Sequence, residues 1–333
     1  MKKLRTLDIY TIPLLVVSLT AAALRSIALL TSFNSTTMHF DHKIAILIGS
    51  VIVVVSTVAF LTYLIFGEKE QELIEKNGNA ASYSPAGIVS YALIFMGVQN
   101  IRTFLDGHSL KILSALSLIS GVLAFLSVIS FFLSVFIERR DNMYKAAFSI
   151  CTVLFLAVYA VMLYFNKEYH PTNSPNRFID EKAYLSASVF FLYEARIPLG
   201  RAKWRGYVSF GLIATMMCLY SSIPALILYF VKGDIISESL TESILTLTLA
   251  IYIASKVLQI KTLTPDTECE TAQCIASLAN ARTEEIESLR KSSRAQVINN
   301  EENEDVEEVA NYSFDIPYTD PSSDLTSEDI GER

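Results

Sequence analysis

The chain has 333 residues, 52% of them hydrophobic and 18% charged, with 12 Gly, 9 Pro and 4 Cys, which excludes a collagen, a disulfide scaffold and a wholly disordered chain. The apolar residues gather into runs of about 17 to 27, too long for core strands and long enough to cross a hydrocarbon layer of roughly 30 Å. The net charge of −7 hides two regions, because residues 1–261 carry +6 and residues 262–333 carry −13. A basic embedded part suits the anionic headgroups of a bilayer, an acidic tail is repelled by them, and a nucleic-acid partner is disfavoured.

In chain order the runs predict eight transmembrane helices: Ile9 to Leu30, Ile44 to Phe66, Ala86 to Leu105, Ile112 to Ile137, Met143 to Phe165, Ala183 to Leu199, Tyr207 to Val231 and Ser239 to Ile260. The sixth is the least apolar. No alternating ten-residue pattern competes, so the expected fold class is all-α, an integral membrane bundle over 1–261 followed by a mostly disordered acidic tail over 262–333. With the N-terminus inside, the inner segments hold 14 Lys and Arg against 6 outside, which predicts both termini on the cytoplasmic side of a plasma membrane. The first run lacks a small-x-small cleavage site and is expected to stay as a helix.

Ionisable residues inside the spans are the candidates for function, because each costs at least about 2.5–3.5 kcal/mol near the bilayer centre unless it snorkels, pairs or lines a wet cavity. Arg25 is roughly 24 Å into the first helix, where its long stem is expected to lift the guanidinium to the outer headgroups. Arg102 lies at a similar depth in the third helix with Asp106 one turn on, a spacing that suits an intrahelical pair. Its neighbours Gln99 and Asn100 are placed to hydrogen-bond another helix or line a pocket.

Glu194 is the strongest candidate. It sits about 16 Å into the sixth span, where a short acidic side chain cannot snorkel and needs a partner or a proton. Arg196, two residues on, faces another side of the helix, whereas Lys256 near the inner end of the eighth span is a possible interhelical partner. Two readings stand: a structural ion pair or neutral acid, or a substrate or proton site. Pro198 and Gly200 then break the helix, and Arg201, Lys203, Trp204 and Arg205 follow at headgroup level, as a positive-inside anchor or as a contact for anionic lipid or the acidic tail. At an offset of 94 residues Asn100-x-Arg102-x-x-Leu105 aligns with Glu194-x-Arg196-x-x-Leu199, which suggests an inverted repeat relating helices two to four to helices five to seven.

The stretch from Phe190 to Arg205, FFLYEARIPLGRAKWR, resembles a segment of uncharacterised multi-pass membrane proteins of anaerobic bacteria. The resemblance covers one helix and its loop, implies a bacterial inner-membrane protein, and carries no activity across.

Cys151 and Cys218 fall within apolar spans, and Cys269 and Cys274 stand in a C-x4-C spacing without neighbouring ligands, so neither a disulfide framework nor a metal site is expected. His39, His42, His108 and His170 are scattered over the outer loops. In the tail, Thr283 before Glu284, Glu285 and Glu287 predicts an N-cap and a short helix to about Val297. Beyond Asn299, acidic residues dominate, and the segment Tyr312 to Tyr318 sets aromatics among acids as a docking motif would. No P-loop, zinc-peptidase or hydrolase-elbow pattern occurs, and no enzyme or cofactor is expected. Two functions compete: a small-solute or ion transporter, and a scaffold or regulator that recruits a cytosolic protein through residues 299–333.

Overall fold

The computed structural model describes residues 6–34, 39–40, 44–66, 80–107, 111–136, 143–166, 175–197, 203–233, 239–260, 281 and 284–292. The structure is all-helical apart from one two-stranded ribbon. Its elements are α1 (Thr6–Ser32), β1 (Phe33–Asn34), β2 (His39–Phe40), α2 (Ile44–Phe66), α3 (Ala80–Asp106), α4 (Lys111–Phe136), α5 (Met143–Phe165), α6 (Pro175–Ala195), α7 (Trp204–Lys232) and α8 (Leu240–Ile260). The acidic segment 299–333 and both tail cysteines lie outside the described residues. Residues 280–333 form a separate unit, of which a short exposed helix over 284–292 is described, inside the stretch where the Thr283 cap predicts one.

Among the described residues six helices are long and apolar enough to cross a membrane: α2, α4, α5, α7 and most of α3 and α8. That composition belongs to a multi-pass membrane protein in contact with a lipid bilayer. Of the other two helices of the bundle, α1 is apolar over its described stretch Val16–Ser32, and α6 carries Arg177, Asp180, Glu181 and Lys182 in its first turns.

Six helices close a ring, each packed on the next in the order α3, α4, α5, α6, α7, α8, with α8 returning to α3. The α1–α2 hairpin packs on the far side of α7. Of the span on α7, 72% is buried inside the protein, against 22% for α2, so α7 is the central helix and α2 a peripheral one that leaves most of its surface for lipid. Rings from three helices meet inside the bundle: Phe131 of α4 is 5.0 Å from Tyr252 of α8 and 5.7 Å from Phe191 of α6, and Phe191 stacks on Tyr252 at 5.8 Å. Edge and offset contacts of this kind contribute beyond area burial alone.

Helix ends follow local chemistry. Pro175 opens α6, where a missing N–H costs nothing, and Gly233 closes α7 in the left-handed conformation (φ 74°) with its N–H on Tyr229 O at 2.9 Å. The ribbon between α1 and α2 pairs Phe33 with Phe40, and Phe40 is buried with Ala28, Leu29, Ile46 and Leu228.

Two expectations are corrected. The segment 175–182, read as outer loop, is the first two turns of α6, and α3 starts at Ala80 rather than Ala86. The packing also departs from the suggested inverted repeat: α2 packs on α1 and α7, whereas its counterpart α5 packs on α4 and α6.

Candidate functional site

The residues picked out in α3 separate into a packing group and a surface group. Asn100 is buried and donates through Nδ2 to Ser120 Oγ of α4 at 3.0 Å, where Gly97 and Gly121 let the two backbones approach. Arg102 Nε lies 3.6 Å from Asp106 Oδ2, with both side chains more than 70% exposed. A pair so exposed contributes little. Asn100→Ala should cost about 0.5–1.5 kcal/mol of stability, read as a lowered melting temperature with unchanged function; a loss of function at full stability would make Asn100 part of a site.

Glu194 stands in the last turn of α6, half-buried, and its Oε1 accepts a hydrogen bond of 2.8 Å from the Tyr252 hydroxyl of α8. Lys256, one turn further along α8 and buried, has its Nζ 5.7 Å from the same Tyr252 ring. The two charges paired on sequence grounds are thus both gathered around Tyr252, at the edge of the aromatic cluster. Arg196 lies in the turn after α6 with its guanidinium 5.7 Å from the Tyr193 ring. Trp204 opens α7 and meets Tyr207 edge-on at 5.8 Å, Arg205 is half-buried beside it, Lys203 is exposed, and Arg201 lies outside the described residues.

A second polar group, of which the sequence singles out only Arg25, is built around α7 at the opposite end of α6. Pro224 has no N–H, so the carbonyl of Tyr220, four residues earlier, loses its helical donor. Arg25 of α1 supplies the replacement: its Nη1 donates to Tyr220 O at 2.5 Å and to Ser221 O at 3.4 Å. Its Nη2 donates to Asn176 Oδ1 at 3.1 Å, and the guanidinium lies 5.2 Å from the Tyr220 ring centroid. Ser221 donates through Oγ to Asp180 Oδ1 at 2.5 Å. The Asp180 carboxylate attracts the guanidinium electrostatically across that serine. Arg25, Asn176 and Asp180 are all at most 5% exposed.

Arg25 therefore does not reach for the headgroups. A broken helix offers its guanidinium carbonyls inside the protein, and a neighbouring carboxylate offsets its charge, which outweighs the pull of solvent on a long side chain. Next to it on α6, Arg177 Nε donates to Glu181 Oε1 at 3.0 Å, and its guanidinium sits 5.1 Å from the Tyr164 ring. The signal that points here is Pro224 inside an apolar run, together with Asn176 and Asp180 just ahead of the sixth one.

Cys218 is buried with Sγ 3.8 Å from Ala183 O, and Cys151 is partly buried; both are free thiols. Among the described residues no three His, Cys, Asp or Glu side chains are grouped to hold a metal. Comparisons with protein-family models, with curated proteins and with solved structures give no match.

Proposed function

We propose that this protein sits in the plasma membrane of a bacterium with all eight helices crossing and both termini cytoplasmic, and that it carries a small solute or ion through the bundle without chemical catalysis. The observation that supports transport is the Pro224 break in α7, where Arg25 of α1 donates to the freed Tyr220 carbonyl and Asp180 of α6 accepts from the adjacent Ser221. Burying Arg25 and Asp180 carries a desolvation cost that apolar packing would spare a passive bundle, whereas transporters place interrupted helices and intramembrane charge where a solute binds. The Glu194, Tyr252 and Lys256 group at the other end of α6 supplies a second polar station, with the Phe131, Phe191 and Tyr252 rings beside it.

The test is uptake into proteoliposomes holding the full chain, across a panel of labelled ions and small metabolites. Uptake of at least one solute above protein-free vesicles is expected, and Asp180→Asn or Glu194→Gln should each lower it about 10-fold or more while folded yield holds. Uptake indistinguishable from empty vesicles across the panel would overturn transport. The alternative reading, recruitment of a cytosolic protein through residues 299–333, has its support in the acidic composition of that segment.

A further inference from the structure

We propose that the Pro224 break is a binding site for a small monovalent anion, either a halide or the carboxylate of a solute, held by Arg25, Asn176 and Tyr220. As an identity for the carried solute this rests on the transport reading; as a binding site it stands without it.

Among the described residues every acceptor that Arg25 reaches is neutral: two backbone carbonyls and the Asn176 amide oxygen. Its Nε has no acceptor among the described residues, nor have Asn176 Nδ2 and Tyr220 Oη. All three residues are at most 2% exposed, and both Asn176 and Tyr220 lie directly against the same guanidinium. Three unmade buried hydrogen bonds in one cluster are costly, and a shared acceptor with several lone pairs answers all of them at once.

The charge selects what that acceptor is. Among the described residues the buried guanidinium has no counter-charge in direct contact, because Asp180 joins the cluster through Ser221 rather than through Arg25. An anion accepts N–H and O–H donors together and adds a counter-charge in direct contact to the more distant one of Asp180, with hydrogen bonds stronger than those to a neutral group. Asp180, already nearby, repels a dianion, so the site favours a single negative charge. On the α2 side Gly49 lets the backbone approach the Tyr220 hydroxyl closely, since a Cβ there would come within 3.3 Å of it.

The experiment is thermal unfolding of the full purified chain in sodium sulfate, replaced stepwise by sodium chloride, bromide or acetate at constant ionic strength. At least one of the three should raise the melting temperature saturably, by about 3–6 °C near 100-fold excess over its dissociation constant. A response to acetate alone identifies the carboxylate of a solute, and a response to halide identifies the free inorganic ion. Tyr220→Phe removes one donor and should weaken apparent affinity about 10-fold. Asn176→Asp brings a carboxylate of the chain onto Arg25, and should raise the anion-free melting temperature while abolishing the response. A flat wild-type curve for all three anions overturns the site, as does an unchanged response in Tyr220→Phe, which carries the test if Asn176→Asp fails to fold. Binding without uptake in proteoliposomes would remove the transport reading and leave the site. Uptake without anion-dependent stabilisation would do the reverse.

Discussion

Arg25→Leu should lower stability by about 3–5 kcal/mol, the largest effect expected of any single replacement in this bundle. The leucine leaves Tyr220 O without a donor at the place where Pro224 has already removed the helical one, and it leaves the Asp180 carboxylate buried without the guanidinium that attracts it. The size comes from what is left unpaired rather than from the contact removed. Pro224→Ala provides the discriminating background, because alanine restores an N–H to Tyr220 O and relieves one of the two costs. In that background Arg25→Leu should cost less by roughly 1–2 kcal/mol, measured by a double-mutant cycle of unfolding in detergent. If the two replacements add within about 0.5 kcal/mol, the proline and the arginine act independently and the account of why Arg25 is buried fails.

This coupling explains how far the sequence could be read. Run length and apolar content located the helices, because each must satisfy its backbone internally whatever its neighbours are. The start of α6 was missed for a reason of the same kind. Asn176, Arg177 and Asp180 look like loop residues when hydropathy is averaged over a window, and they become helix only because Arg25, Ser221, Glu181 and Tyr164 receive their polar atoms. Depth alone misplaced Arg25, since snorkelling and burial differ by what the adjacent helix offers. The pairing of Arg102 with Asp106 was readable because it lies within one helix. The placement of Glu194 and Lys256 around Tyr252 depends on α6 meeting α8 past the shared neighbour α7, and nothing in spacing along the chain encodes that adjacency.

The second large effect is expected where α7 meets α8. Gly211→Ala should cost about 1–3 kcal/mol, because a Cβ at that position would stand 2.4 Å from Val257 Cγ2 and 3.2 Å from the Phe190 ring. Neither neighbour has an easy retreat. Val257 is branched at Cβ and fully buried, and the Phe190 ring is held against Phe191 at 5.4 Å and Tyr207 at 4.8 Å, so relief requires α7 and α8 to separate. Val257→Ala alone leaves a small cavity, yet combined with Gly211→Ala it removes the offending methyl, and the double variant should be more stable than Gly211→Ala by at least about 1 kcal/mol. Gly87 of α3 is the control, since a Cβ there meets nothing within 4 Å and Gly87→Ala should raise stability by about 0.5–1 kcal/mol through helix propensity. Opposite signs for one chemical change at two helical positions would trace the Gly211 effect to the α7 contact, and a matching gain at both would mean that α8 does not approach α7 as closely as Val257 indicates.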